Sequence, residues 1–143
     1  MSTRSYICME TEQGRYVGIY CHHYGYLAYN GAMLIDHYSD REKVEKIISL
    51  GDMSTLSENI NPIPLKEHSF DNPQEGVTVF YGRDRGEKGT EAKEVTLDDI
   101  NADDSWIEYC YVYGLDGKWR YMECKVGKPC LKDLIQGLKE EYE

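Results

Sequence analysis

Between Ile107 and Cys124 the chain reads IEYCYVYGLDGKWRYMEC, two alternating runs joined at Asp116-Gly117. Successive side chains on a strand point to opposite faces, so strand parity decides which residues share a surface. A three-residue loop with Gly117 in the left-handed region carries that parity across the turn. Tyr109, Tyr111, Tyr113, Trp119 and Tyr121 then line one face, while Cys110, Val112, Met122 and Cys124 line the other. The chain is thereby committed to a sheet with one aromatic face. Its 13 Tyr against 2 Trp and 2 Phe fit such a sheet, because a phenol ring fills a half-buried strand position while its hydroxyl reaches water or a partner.

A second hairpin is expected from Ser5 to His23, as SYICMETE, a Gln13-Gly14 turn, then RYVGIYCHH. With a two-residue loop, Tyr6 pairs with Cys21 and Cys8 with Ile19, which puts Cys8 and Cys21 on one face as diagonal neighbours. NGAMLIDHY reads as helical, and SDREKVEKIISLGD reads as a helix with Ser39 and Glu42 as a capping box. Val44, Ile47 and Ile48 give its apolar stripe, and Gly51 ends it. Prolines 62, 64 and 73 mark a loop from Asp52 to Gln74 with one short turn at Ser54 to Ser57. GVTVFYG is a short strand ending in the charged turn RDRGEKGTEAKE. Thr96 with Asp99 can cap a brief helical turn within an otherwise solvated acidic stretch. Pro129 suits the first turn of a final helix whose Leu131, Leu134, Ile135, Leu138 and Tyr142 recur at helical spacing and cover the sheet. The expected fold class is α+β: one domain over 1–143, with an antiparallel sheet of about five strands in two hairpins, packed with two or three helices.

A formal net charge of −10 over 143 residues argues against direct nucleic-acid binding, which needs clustered Lys and Arg, and points to a basic partner. No apolar run approaches the roughly 20 residues that span a bilayer. An odd number of cysteines, five, and no amino-terminal apolar segment point to reduced thiols and a cytoplasmic location.

The densest group of chemically capable residues is YCHHYGY, from Tyr20 to Tyr26. As a zinc site it would use Cys21 and His23, since adjacent histidines on a strand face opposite ways, with Cys8 and His37 as further candidates. Nothing has C-x-x-C or H-x-x-x-H spacing. The alternative is that the cysteines are small apolar core residues and the histidines ordinary strand-end side chains. Cys110, Cys124 and Cys130 form a second, weaker thiol set. A metal-free hydrolase or nuclease would use His22 as general acid or base, Arg83 and Arg85 as anion binders and Glu87 as a second proton carrier. An acidic surface opposes a polyanionic substrate, however, and charges in such a turn commonly compensate each other. Phosphate-binding loops, dinucleotide fingerprints and nucleophile elbows are absent from the sequence.

Asp98, Asp99, Asp103, Asp104 and Glu108 form one acidic run, and Glu140, Glu141 and Glu143 another. These are either solvated faces or a surface whose carboxylates replace phosphates in a partner's cationic groove. In the second case Tyr109, Tyr111, Tyr113, Trp119 and Tyr121 supply apolar anchors.

The segments MSTRSYI, GIYCHHYGYLAYNGAMLIDHYSDREKV, LGDMSTL, SFDNPQEGVTVFYGRDRGEKGTEAKEV and WIEYCYVYGLDGKWRYME together resemble a family of small proteins from phages and mobile elements of Firmicutes. Members typically carry an aromatic residue and then Asp after the histidine, as in Y-C-H-W-D-G-Y, where this chain has His23 and Tyr24. The resemblance transfers no activity residue by residue. Small acidic proteins from such elements include inhibitors of host defence, among them anti-CRISPR proteins. What the resemblance implies is therefore a non-enzymatic inhibitor whose partner is a basic host protein such as a Cas9-type nuclease.

Overall fold

The computed structural model describes residues 3–102 and 106–142, the side chain of Tyr142 excepted. Eight strands form one mixed sheet: β1 (Arg4–Glu12), β2 (Arg15–Cys21), β3 (Met53–Thr55), β4 (Val79–Phe80), β5 (Lys93–Val95), β6 (Ile107–Tyr113), β7 (Trp119–Glu123) and β8 (Lys132–Asp133). Their order is β4-β3-β2-β1-β6-β7-β8, and β5 shares the outer edge of β2 with β3. The α+β class holds, but the sheet is not all antiparallel, because β1–β6 and β2–β3 run parallel. The first strands of the two hairpins meet side by side, and the long segment of short helices, short strands and loop between them supplies the crossover that parallel strands require. Four of the strands are only two or three residues long, too short to leave an alternation pattern in the sequence.

The second hairpin has the expected faces. Tyr113 pairs with Trp119, Tyr111 with Tyr121 and Cys110 with Met122, around a loop in which Gly117 takes φ 76°. The first hairpin departs from expectation by one residue. Glu12 pairs with Arg15 around Gln13-Gly14 as the turn demands, but a bulge between Glu10 and Glu12 shifts the rest, so that Ser5 pairs with Cys21 and Cys8 with Gly18. A one-residue shift sends every following side chain to the other face. Cys21 therefore joins the larger core with Ile7 and Ile19, and Cys8 joins a smaller one with Cys110 and Val112 on the opposite face.

Five helices and a π-helical turn at Leu27–Gly31 pack around the sheet: α1 (Ala32–His37), α2 (Arg41–Leu50), α3 (Tyr81–Arg85), α4 (Leu97–Ala102) and α5 (Leu134–Tyr142). The larger core takes Leu34 of α1, Val44, Ile47 and Ile48 of α2, and Leu134 of α5 against the aromatic face. Ile100 of α4 covers the other face. The cap of α2 is Asp40, whose carboxylate accepts from the Glu42 N–H at 3.4 Å, rather than Ser39. α5 begins at Leu134 instead of near Pro129, because Lys132 and Asp133 extend the sheet and Asp133 caps the helix by accepting from the Gln136 N–H at 3.0 Å. A Cβ on Gly137 would stand 2.5 Å from the Tyr121 ring, so glycine there lets α5 press onto the aromatic face. Ser54 lies in β3 rather than in a turn, and the charged RDRGEKG stretch begins inside α3. Among the described residues no helix is long and apolar enough to cross a membrane.

Candidate functional site

The zinc candidates do not converge. Cys8 and Cys21 are separated by the sheet, and His37 lies 3.9 Å from Glu58 in an exposed pair at the end of α1. Burial pushes the Cys21 thiol up to about 11, and its Sγ donates to the His23 carbonyl at 3.5 Å. A thiol held protonated in this way is neither a ready ligand nor a nucleophile. Cys8 and Cys110 are fully buried with their sulfurs 3.8 Å apart, and that contact, with burial, raises the Cys110 thiol further. Cys124 belongs to the same small core, whereas Cys130 is exposed. No group of three His, Cys, Asp or Glu among the described residues is arranged to hold a metal ion.

Of the hydrolase candidates, Arg83 is committed to structure, whereas Arg85 is exposed over the Phe70 ring and Glu87 is exposed at the end of the turn. Arg83 donates from Nε to Asp84 at 2.9 Å, from Nη1 to the Ile60 carbonyl at 2.6 Å and from Nη2 to the Thr78 carbonyl at 2.9 Å. Asp84 also accepts from the Phe80 N–H at 2.8 Å and stands 3.2 Å from Nε2 of His68, which sequence reasoning missed. Burial by itself raises the Asp84 pKa, but the Arg83 bond, the Phe80 N–H and the neighbouring charges outweigh it and hold the carboxyl below its usual range. The side chains of His68 and Asp84 are only 3% and 4% exposed. Since His68 Nδ1 accepts from the Gln74 N–H at 3.0 Å, its proton sits on Nε2 facing Asp84, and neither nitrogen is left for a substrate. This network fastens loop 61–76 to α3; Gln74 continues it by bonding both the N–H and the carbonyl of Ile63.

The aromatic set proposed for partner contact lies largely inside. Tyr111, Tyr113, Trp119 and Tyr121 are buried beneath the helices, and three of them have their polar atoms taken: Tyr111 donates to the Gly25 carbonyl, Tyr113 to the Ser39 carbonyl and the Trp119 indole to the Tyr38 carbonyl. Only Tyr109 is half-buried. Asp98 and Asp99 are exposed in the first turn of α4 and Glu108 is exposed on β6; Asp103 and Asp104 lie outside the described residues.

A different cluster emerges at one end of the sheet. The registers place Cys21, Ser5, Tyr109 and Glu123 in a row across β2, β1, β6 and β7. Burial and then the carboxylates of Glu123, Glu141 and Glu108 raise the Tyr109 phenol; burial raises Tyr121 as well, Lys132 pulls it down, and Glu123, Glu140 and Glu141 add to the rise. None of these four glutamates is in an ion pair among the described residues.

Next to that row, YCHHYGY leaves β2 and folds back over the start of β1. The Gly25 N–H bonds the Thr3 carbonyl at 2.8 Å, and His22 and His23 bond the Met53 and Ser54 carbonyls of β3. Tyr24 takes φ 59°, a left-handed conformation that costs a non-glycine residue on the order of 1 kcal/mol. The rings form a continuous series: Tyr20–His22 at 5.8 Å, His22–His23 at 4.6 Å, His23–Tyr24 at 5.9 Å, Tyr24–Tyr29 at 4.8 Å and Tyr29–Tyr26 at 6.4 Å. Burial, then His23 and Arg4, lower the His22 pKa, and its Nδ1 lies 2.6 Å from the Tyr20 hydroxyl. Burial pushes that phenol up to about 12, so it stays protonated. Tyr24 and Tyr26 are 47% and 40% exposed.

The fold and this end of the sheet define an α+β protein with a mixed sheet and an acidic, aromatic rim, with no cluster arranged to hold a metal ion among the described residues. Compared with known proteins, the chain matches no family model, no curated protein and no solved structure.

Proposed function

We propose that this chain is a non-enzymatic interaction protein that inhibits a basic, nucleic-acid-handling effector of a bacterial host, of the Cas9-type nuclease class. The observation that carries the reading is the gathering of Glu108, Glu123, Glu140 and Glu141 around Tyr109 and Tyr121 without ion-pair partners among the described residues. Folding gains nothing from crowding unpaired carboxylates, whereas a cationic groove built for phosphate accepts them in place of nucleic acid. Glu140 and Glu141 also stand in the last turn of α5, where the helix dipole disfavours negative charge. The origin in a phage or mobile element and the choice of nuclease rest on the sequence resemblance, and the acidic rim supports the kind of partner.

The test is a cleavage assay with a guide-loaded Cas9-type nuclease, run with and without the protein, alongside binding measured across a range of salt. Inhibition with affinity falling steeply as salt rises is expected. Absence of both inhibition and complex formation at low salt, or tight binding indifferent to salt, would remove the reading.

A further inference from the structure

We propose that the ring series Tyr20–His22–His23–Tyr24–Tyr29–Tyr26 is a docking surface for an arginine-bearing segment of a basic protein. The inference rests on the reading of a basic partner and names the surface and the side chain it receives.

Three observations on one end of the molecule carry it. First, the rings are held in place before any partner arrives. Backbone bonds to Thr3, Met53 and Ser54, the Tyr111 hydroxyl on the Gly25 carbonyl, and the Asn30 N–H on the Tyr24 carbonyl at 3.1 Å fix the loop from both sides. A Cβ on Gly25 would stand 2.8 Å from Ser5, so the loop lies directly against β1. Rigid aromatic residues lose little conformational freedom on binding, which is why tyrosine is frequent among residues that dominate interfaces. Second, two rings of the series, Tyr24 and Tyr26, are exposed where the sheet's own aromatic face is not, and the other four are half-buried beside them. Third, carboxylates flank the series at both ends. Glu123 and Glu141 lie around Tyr109, which neighbours Ser5 and through it Gly25. Asp52 accepts the Tyr20 N–H at 2.9 Å, and Lys93, which favours its ionisation, lies near it together with Glu87 and Glu91, which oppose it.

An arginine suits both halves of this surface. Its planar, weakly hydrated guanidinium stacks on a ring face and still forms bidentate bonds to a carboxylate at the edge, whereas a lysine ammonium is a strongly hydrated point charge. Single-stranded nucleic acid also stacks on aromatic series, but it needs a cationic track for its phosphates, and the net charge of −10 works against that.

The test uses the full chain and two labelled glycine-serine peptides of equal length and charge, one with interspersed arginines and its arginine-to-lysine twin. Oligothymidine serves as a third probe. The arginine peptide is expected to bind roughly fivefold tighter than the lysine twin, the scale of stacking on exposed rings. In the double variant Tyr24→Asn with Tyr26→Ser, that preference should shrink to near unity while the melting temperature and the lysine-peptide affinity hold. Asparagine is used at position 24 because it tolerates the left-handed backbone. Equal affinity for the two peptides, or a preference that survives the double variant, overturns the ring surface and leaves the acidic-rim reading standing. Failure of both peptides to bind at low salt overturns both. Tighter capture of oligothymidine than of either peptide does the same.

Discussion

Arg83 and Asp84 meet at 2.9 Å beneath loop 61–76, whereas Glu108, Glu123, Glu140 and Glu141 crowd one end of the sheet with no ion pair among the described residues. Both regions are rich in charge in the sequence, and they differ in what folding does with it. In the first, each charged atom is answered by a carbonyl, an N–H or an opposite charge, so the group acts as a fastener. In the second, the carboxylates raise the neighbouring phenols, and none of them is in an ion pair among the described residues. Satisfaction of the charges, rather than their number, separates the structural cluster from the functional candidate.

The comparison breaks most readily at Arg83. Arg83→Ala leaves Asp84 buried without its main partner and frees two carbonyls, and a loss of about 3–5 kcal/mol is expected in chemical denaturation. Arg83→Lys should rescue little of this, because one ammonium cannot reproduce the fork. A loss within about 0.5 kcal/mol, the range of ordinary surface changes, would place this cluster with the solvated faces after all.

Asp84→Asn gives a smaller effect, about 2 kcal/mol, and a pH signature. The folded carboxyl has a lower pKa than the unfolded one, so its contribution is complete above about pH 4 and is lost as pH falls through the folded value. Denaturation midpoints measured against pH should therefore fall less steeply on the acid side in the variant. An unchanged acid limb would mean that other carboxylates govern it.

At the other region, the triple change of Glu108, Glu123 and Glu141 to Gln is expected to move stability by no more than about 0.5 kcal/mol. It should weaken binding to a basic partner and reduce the salt dependence of that binding. The same variant offers the finest test. The Tyr109 phenol, raised first by burial and then by these carboxylates, should titrate closer to its ordinary value when followed by ultraviolet absorbance against a Tyr109→Phe control. A destabilisation on the scale of Arg83→Ala would show that the rim, too, is part of the fold's support.

What could be read from the sequence follows the range of the interaction involved. The hairpin around Gly117 was legible because alternation and turn chemistry are local and agree, and its pairs fall where parity puts them. The helix over Arg41–Leu50 was legible for the same reason, apart from a one-residue shift of its cap. The first hairpin departs from its expected register because Met-Glu-Thr-Glu carries no mark of a bulge, and one extra residue separates Cys8 and Cys21 into the two cores. The aromatic residues read both as partner anchors and as a face for the last helix to cover, and the packing of Leu134 and the close approach of Gly137 to the Tyr121 ring decide for burial. The His68–Asp84 contact joins residues 16 apart across a proline-rich loop and has no spacing that would announce it. YCHHYGY stands out in the sequence by its density of rings. Its ring-to-ring order became visible only once Tyr29, from the following turn, was placed beside Tyr24.

The parallel pairing of β1 with β6 also imposes an order of events on a growing chain. β1 can form its hairpin with β2 as soon as both have left the ribosome, but its other edge is completed only by residues about one hundred positions later. At roughly 5–20 residues per second, that edge and the small core around Cys8 stay open for roughly 5–20 s of translation. Parallel pairing across such a separation is slow to close even after release, since the loop entropy must be overcome before the contacts reward it. The longest strand of the finished molecule is thus the one longest exposed while it is made.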